Sequence, residues 1–300
     1  MSFYKKYQDE ITTMQLLSQI LGKMKLNYAA QEPQWAHVIL DITTRGFSTG
    51  LLKVNHQPFE MEINLLKDFI SMETREDIAY VDLVDGKSIS EYYAEIIKKA
   101  ESLGIPINIQ TIPQEMSIKT PFEEDQEHHH YNQDFAMEML KWFQLAWDVE
   151  QQFIAPIHQR KVYPGLFWGT FDVACILLYN QFESFVDDEK VISRAAFDEQ
   201  MVEFGFWLGD DNFDYPTFFT LPYLFVEDKK LPIDESFPKG SYFSPKMAEY
   251  LLEIKEPIDE VNREEIIQFI EASCKKSLEY LEWENTHHYF EDLKMDRNKK

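Results

Sequence analysis

The chain has 300 residues, 44% of them hydrophobic and 27% charged, which supplies apolar material for one large domain or two ordinary ones and excludes a disordered chain. A formal net charge of −24 argues against nucleic acid, whose phosphate backbone requires clustered Lys and Arg, and it disfavours an anionic membrane surface. Neither nucleic acid nor membrane is therefore an expected partner, and the charge is read first as a source of solubility.

Cys175 and Cys274 lie far apart and show no metal or redox spacing. The opening stretch MSFYKKYQDE has no apolar leader, and no run reaches membrane-spanning length. A reducing, cytoplasmic setting is expected.

In chain order, Ile11, Met14, Leu17, Ile20 and Met24 recur at helical spacing. Trp35 to Thr43 reads as a strand, and further strands are expected at 47–54, 59–65, 68–73 and 78–83 with tight turns between them, an antiparallel meander. Ser88-Ile89-Ser90-Glu91 is a capping box, and the helix it opens ends at Gly104. Ile105 to Gln110 is expected to be one more strand. The spacing of Phe135, Met139, Phe143 and Trp147 predicts a long helix over 133–154, with Asn132 as N-cap and Pro156 as stop.

Residues 163–170 are expected to form a loop leading into a strand over 171–179. A surface turn is expected at 187–190 and a strand over 197–207. Pro216 and Pro222 demote the segment 215–225 to an edge strand or irregular chain. A last strand is expected over 250–254, and Ile266, Ile270, Cys274 and Leu278 predict a helix over 262–283. The fold class is α+β with an antiparallel sheet in each half. The expected organisation is a first half at 1–112, a connecting loop at 113–131, a second half at 132–290 and a frayed tail at 291–300.

Three stretches hold polar residues where chemistry is conceivable. The loop Pro121 to Tyr131 places Asp125 near His128, a pairing that suits a divalent metal, although no zincin or EF-hand spacing is present. In Trp168-Gly169-Thr170-Phe171-Asp172 a lone acid lies between apolar blocks, where it needs a partner and acquires a shifted pKa. Gly205-Phe206-Trp207-Leu208-Gly209 offers flat rings beside glycines, which suits stacking on a ligand and equally suits core packing.

Together these stretches resemble a bacterial family known only as a domain of unknown function. Its pattern Pro-Phe-x-x-Asp-x-x-His-x-x-Tyr is matched by Pro121, Phe122, Asp125, His128 and Tyr131. Its Phe-Trp-Gly-Ser-Phe-Asp is matched by Phe167 to Asp172 with Thr170 for the serine, and its Gly-Phe-Trp-x-Gly by Gly205 to Gly209. Gln19, Gly22-Lys23, Thr43 and Arg45-Gly46 are similar to further family positions. The family pattern carries a histidine where this chain has Gly165, and His-Glu where it has Glu199-Gln200, so Glu199 is what remains there as a ligand or base.

The leading expectation is a small-molecule-binding protein whose pocket draws on His128, Tyr131, Trp168, Asp172, Phe206 and Trp207. An alternative is a metal-assisted hydrolase with Asp125 and His128 as ligands and Asp172 and Glu199 as further ligands or base. A third is a non-catalytic interaction module in which all these residues are scaffold.

Overall fold

The computed structural model describes residues 2–183, 191–224 and 231–295. The turn expected at 187–190 and the end of the segment 215–225 lie outside the described residues. Among the described residues no helix is long and apolar enough to cross a membrane. The α+β class holds, with helices and two antiparallel sheets.

By contacts the chain divides into two compact units. The first comprises Met1–Leu145, Gly165–Val173 and Trp207–Tyr215, and the second comprises Ala146–Pro164, Ala174–Phe206 and Pro216–Lys300. The loop at 113–131 therefore belongs wholly to the first unit, and the units part inside the long helix that follows it.

The first unit begins with helix α1 (Phe3–Tyr28), which buries Leu16, Leu17, Ile20 and Leu21 and packs on a six-stranded antiparallel sheet. Its strands are β1 (Asp41–Ile42), β2 (Gly46–Ser48), β3 (Leu52–Val54), β4 (Gln57–Asn64), β5 (Phe69–Thr74) and β6 (Ile78–Asp82), in the order β1-β2-β4-β5-β6 with β3 also on β4. The expected meander is present, with two corrections. Residues 35–38 belong to a 3-10 segment, Pro33–Val38, and left-handed backbone angles at Gln34 and Trp35 turn the chain away from an extended course. The strand expected over 47–54 breaks in two around Gly50, whose φ of +61° turns the chain.

Helix α2 (Ile89–Ser102) carries the capping box as read: the Ser88 side chain accepts from the Glu91 amide, and the Glu91 carboxylate accepts from the Ser88 amide at 2.8 Å. The strand expected at 105–110 does not form, and that stretch is irregular chain outside both sheets. Helix α3 spans Gln133–Ile154.

The second sheet orders its strands β11-β12-β10-β9-β8-β7. They are β7 (Lys161–Phe167), β8 (Asp172–Phe182), β9 (Glu199–Trp207), β10 (Thr217–Tyr223), β11 (Tyr242–Ser244) and β12 (Glu249–Glu253). Much of the loop expected before residue 171 is strand β7. The prolines did not push β10 to an edge: it pairs with β12 over Thr217 to Thr220, a register that Pro216 precedes and Pro222 follows, so neither missing N–H falls within it. A short helix α4 (Val191–Ala196) and strand β11 had no strong signal in the sequence. Helix α5 (Arg263–Tyr280) is capped by Asn262 and packs on β10 and β12, where the buried Ser273 and Thr220 hydroxyls meet at 2.8 Å.

Candidate functional site

In the first unit the sequence Phe167 to Asp172 forms a tight turn between β7 and β8. The Phe171 amide donates to the Phe167 carbonyl, with Phe171 at a φ of +63°. Trp168 donates through its indole N–H to the Val38 carbonyl at 2.9 Å, and its ring lies on Gly22 of α1. A Cβ on Gly22 would come within 2.2 Å of that ring, so only glycine allows the approach.

Around Gly22, residues of α1 hold the neighbouring segment. The Gln19 side-chain amide donates to the Gln114 carbonyl and accepts from the Gln114 amide, both at 2.9 Å. The buried Lys23 ammonium donates to the carbonyls of Gln110 and Ile112, and burial lowers its pKa to about 8. Gln15 donates to the Gly169 carbonyl at 2.7 Å.

These bonds bring two carboxyl groups to one place. Glu115, with a left-handed φ of 55°, sits with its carboxylate over Gly169, where a Cβ would lie 2.0 Å from its Oε2. Asp172 is 7% exposed and accepts the Thr170 hydroxyl. Burial raises its pKa to about 7, the Thr170 bond opposes the rise, and the nearby Glu115 charge adds to it. Burial also raises the Glu115 carboxyl. Both shifts run in the direction that favours the protonated carboxyl.

The motif from Pro121 to Tyr131 closes the start of α2. Carbonyls of Asp125 and His128 accept from the Ser90 and Ile89 amides, two of the donors a helix start leaves free. The buried Asp125 carboxylate accepts from the Glu127 and His128 amides at 3.1 Å and pairs with the His128 ring at 2.8 Å. Tyr131 donates its hydroxyl to Asp68 at 2.5 Å, and its amide donates to Asp85. The Asp125 carboxylate, the His128 Nδ1 and the Tyr131 hydroxyl thus each have an internal partner.

Trp207, also in the first unit, meets Phe213 edge to face at 5.2 Å. In the second unit Phe206 is fully buried against Phe218, and Glu199 pairs with Arg160. Gly165 has the Ile39 side chain 2.3 Å from a would-be Cβ, so a larger residue there requires Ile39 to move. Among the described residues no three His, Cys, Asp or Glu side chains converge as a metal site, and Asp125 with His128 makes only a pair.

A concave site with apolar walls lies within the second unit. A cleft of about 720 Å³ opens between the end of α3, one side of α5 and the chain from Thr286 to Leu293. Phe153, Ile157, Ile267, Leu278, Trp283 and Tyr289 give it apolar walls. The last segment is held in place because the His158 amide donates to the Tyr289 carbonyl at 2.8 Å and the His158 ring bonds the Glu291 carbonyl at 3.1 Å. Trp283 stacks on Tyr179 at 4.6 Å and donates to Gln200 at 3.1 Å. Sequence reading missed this cleft, since its walls come from apolar positions that helical spacing assigns to core.

A family model described as a family of unknown function, DUF5996, matches residues 2–289. The chain belongs to that family. No curated protein and no solved structure matches it. The DUF5996 match covers both units and all three sequence stretches described above.

Proposed function

We propose that this DUF5996 protein binds a small organic molecule in the cleft of its second unit. The observation that carries the reading is the cleft's volume of about 720 Å³ together with its apolar walls. Ligand sites of roughly 300–1,000 Å³ are typically lined this way, with a few polar groups at the margin. Here the polar groups include the Tyr289 hydroxyl and the exposed carboxylates of Glu271 and Asp292. A reducing, cytoplasmic setting accords with two buried cysteines that are both free.

The test uses Nile red, a neutral dye that brightens in apolar surroundings. Wild type is expected to bind it with one-to-one stoichiometry and to melt at higher temperature in its presence. Gln152, exposed at the cleft's lining, tolerates enlargement without disturbing the core, so Gln152→Trp is expected to fold and to lose the dye. Dye binding that survives this substitution unchanged overturns the assignment of the site.

A further inference from the structure

The cleft's lining carries a charge pattern that narrows its ligand. This inference rests on the reading of the cleft as a small-molecule site and deepens it. Four carboxylates, Glu271, Glu279, Glu291 and Asp292, stand around the apolar walls, against one ammonium, Lys275. Glu279 is engaged by Lys276 at 3.2 Å. Among the described residues the side chains of Glu271, Glu291 and Asp292 have no ion pair or hydrogen bond, and neither has Lys275. All three free acids are exposed, so their charges cost little desolvation in the empty cleft and are available to a bound cation.

An apolar cavity walled by aromatic rings and edged with carboxylates that are unpaired among the described residues selects both parts of an amphipathic cation. The rings of Trp283 and Tyr289 add to this, because the electron-rich face of an aromatic ring attracts ammonium. The protein's net charge of −24 raises the local concentration of any cation, and the cleft gives that attraction a shaped end point. A carboxylate ligand meets the opposite situation, with a single lysine set among four acids.

We propose that the cleft takes an amphipathic organic cation, an amine or quaternary ammonium carried on an apolar body. The body fills the walls formed by Phe153, Ile267 and Leu278, and the positive head stays at the margin near Glu271 and Asp292.

Three probes with one body and three charges separate the terms: 4-phenylbutylamine, 4-phenylbutanol and 4-phenylbutanoate, each titrated calorimetrically into the full chain. The amine is expected to bind at least about tenfold more tightly than the alcohol, with the acid weakest. In the double variant Glu271→Gln/Asp292→Asn, both changes lying on exposed residues, that advantage is expected to fall to about threefold or less while the alcohol's affinity stays constant. Molar salt is expected to reduce the advantage and leave the alcohol unaffected. Gln152→Trp is expected to abolish binding of the amine and the alcohol alike.

An alcohol that binds as tightly as the amine, or an acid that binds best, overturns the assignment of a cation and leaves the cleft standing as a neutral or anionic ligand site. Amine binding that persists in Gln152→Trp also overturns it, since the cation is then held by the acidic surface at large. Nile red binding with no binding of any of the three probes overturns the ligand class alone. Failure of the dye and of all three probes overturns the cleft reading as well.

Discussion

Replacing Asp172 by Asn tests the electrostatics of the turn at Phe167 to Asp172 directly. In the folded protein the Asp172 carboxyl titrates at about 7, against an ordinary value of 3.8, because burial penalises its charge and Glu115 repels it. An acid whose pKa is raised on folding binds its proton more tightly in the native state. Stability therefore falls as pH rises from about 4 to about 7 and levels off above that. At roughly 1.4 kcal/mol per pH unit, the window amounts to at most about 4 kcal/mol.

Asparagine keeps the shape and an oxygen that can accept the Thr170 hydroxyl, but it carries no charge at any pH. The assay is urea unfolding of wild type and Asp172→Asn at pH 5, 6, 7 and 8. Comparing the two at each pH cancels the other titrating groups. The variant is expected to gain on the wild type steadily with pH and to be the more stable of the two at pH 8. A stability difference that is flat with pH refutes the reasoning. So does a variant that loses ground as pH rises, because ionised Asp172 is then making a favourable interaction.

Glu115→Gln removes the neighbouring charge and is expected to move the Asp172 transition to lower pH, visible as a shallower loss of stability between pH 5 and 7 in the same urea series. Gly22→Ala drives a methyl group into the Trp168 indole and is expected to cost about 1–3 kcal/mol, read from urea midpoints; a neutral result refutes the close approach. Ser88→Ala removes the acceptor for the Glu91 amide and is expected to cost about 1 kcal/mol, with faster hydrogen exchange in the first turn of α2. Gln19→Ala deletes both bonds to Gln114 and is expected to increase exchange of the Gln114 amide, while Gln19→Glu, which keeps the acceptor, protects that amide.

Much of the fold was legible because local chemistry and tertiary packing agree there. The capping box before α2, the periodicity of α3 and α5, and the hairpin turns of the first sheet each follow from a few adjacent residues. The misreadings arise where a local rule meets a non-local fact. Trp35 has the composition of a strand residue, yet its backbone is left-handed. Pro216 and Pro222 bracket the Thr217–Thr220 ladder instead of interrupting it, and that depends on where β12 lies. Asp172 was conspicuous in the sequence as an acid among apolar residues. Its companion Glu115 was not, because 57 positions in sequence separate them and Gln19 and Lys23 of α1 hold the segment that carries it.

A polar residue in an apolar context is ambiguous in sequence, since it serves either an outside ligand or the protein's own backbone. Geometry resolves this by showing which groups already use its lone pairs and protons. Asp125 spends its oxygens on two amides and the His128 ring, Tyr131 gives its proton to Asp68, and Glu199 is paired with Arg160. These groups are satisfied without a guest. Around the cleft the balance is reversed: the carboxylates of Glu271 and Asp292 have capacity to spare and border a concave apolar wall. The exposed carboxylates are hydrated in the empty cleft, and a matching ligand can engage them without breaking an internal bond, which is what supports the proposal of binding there.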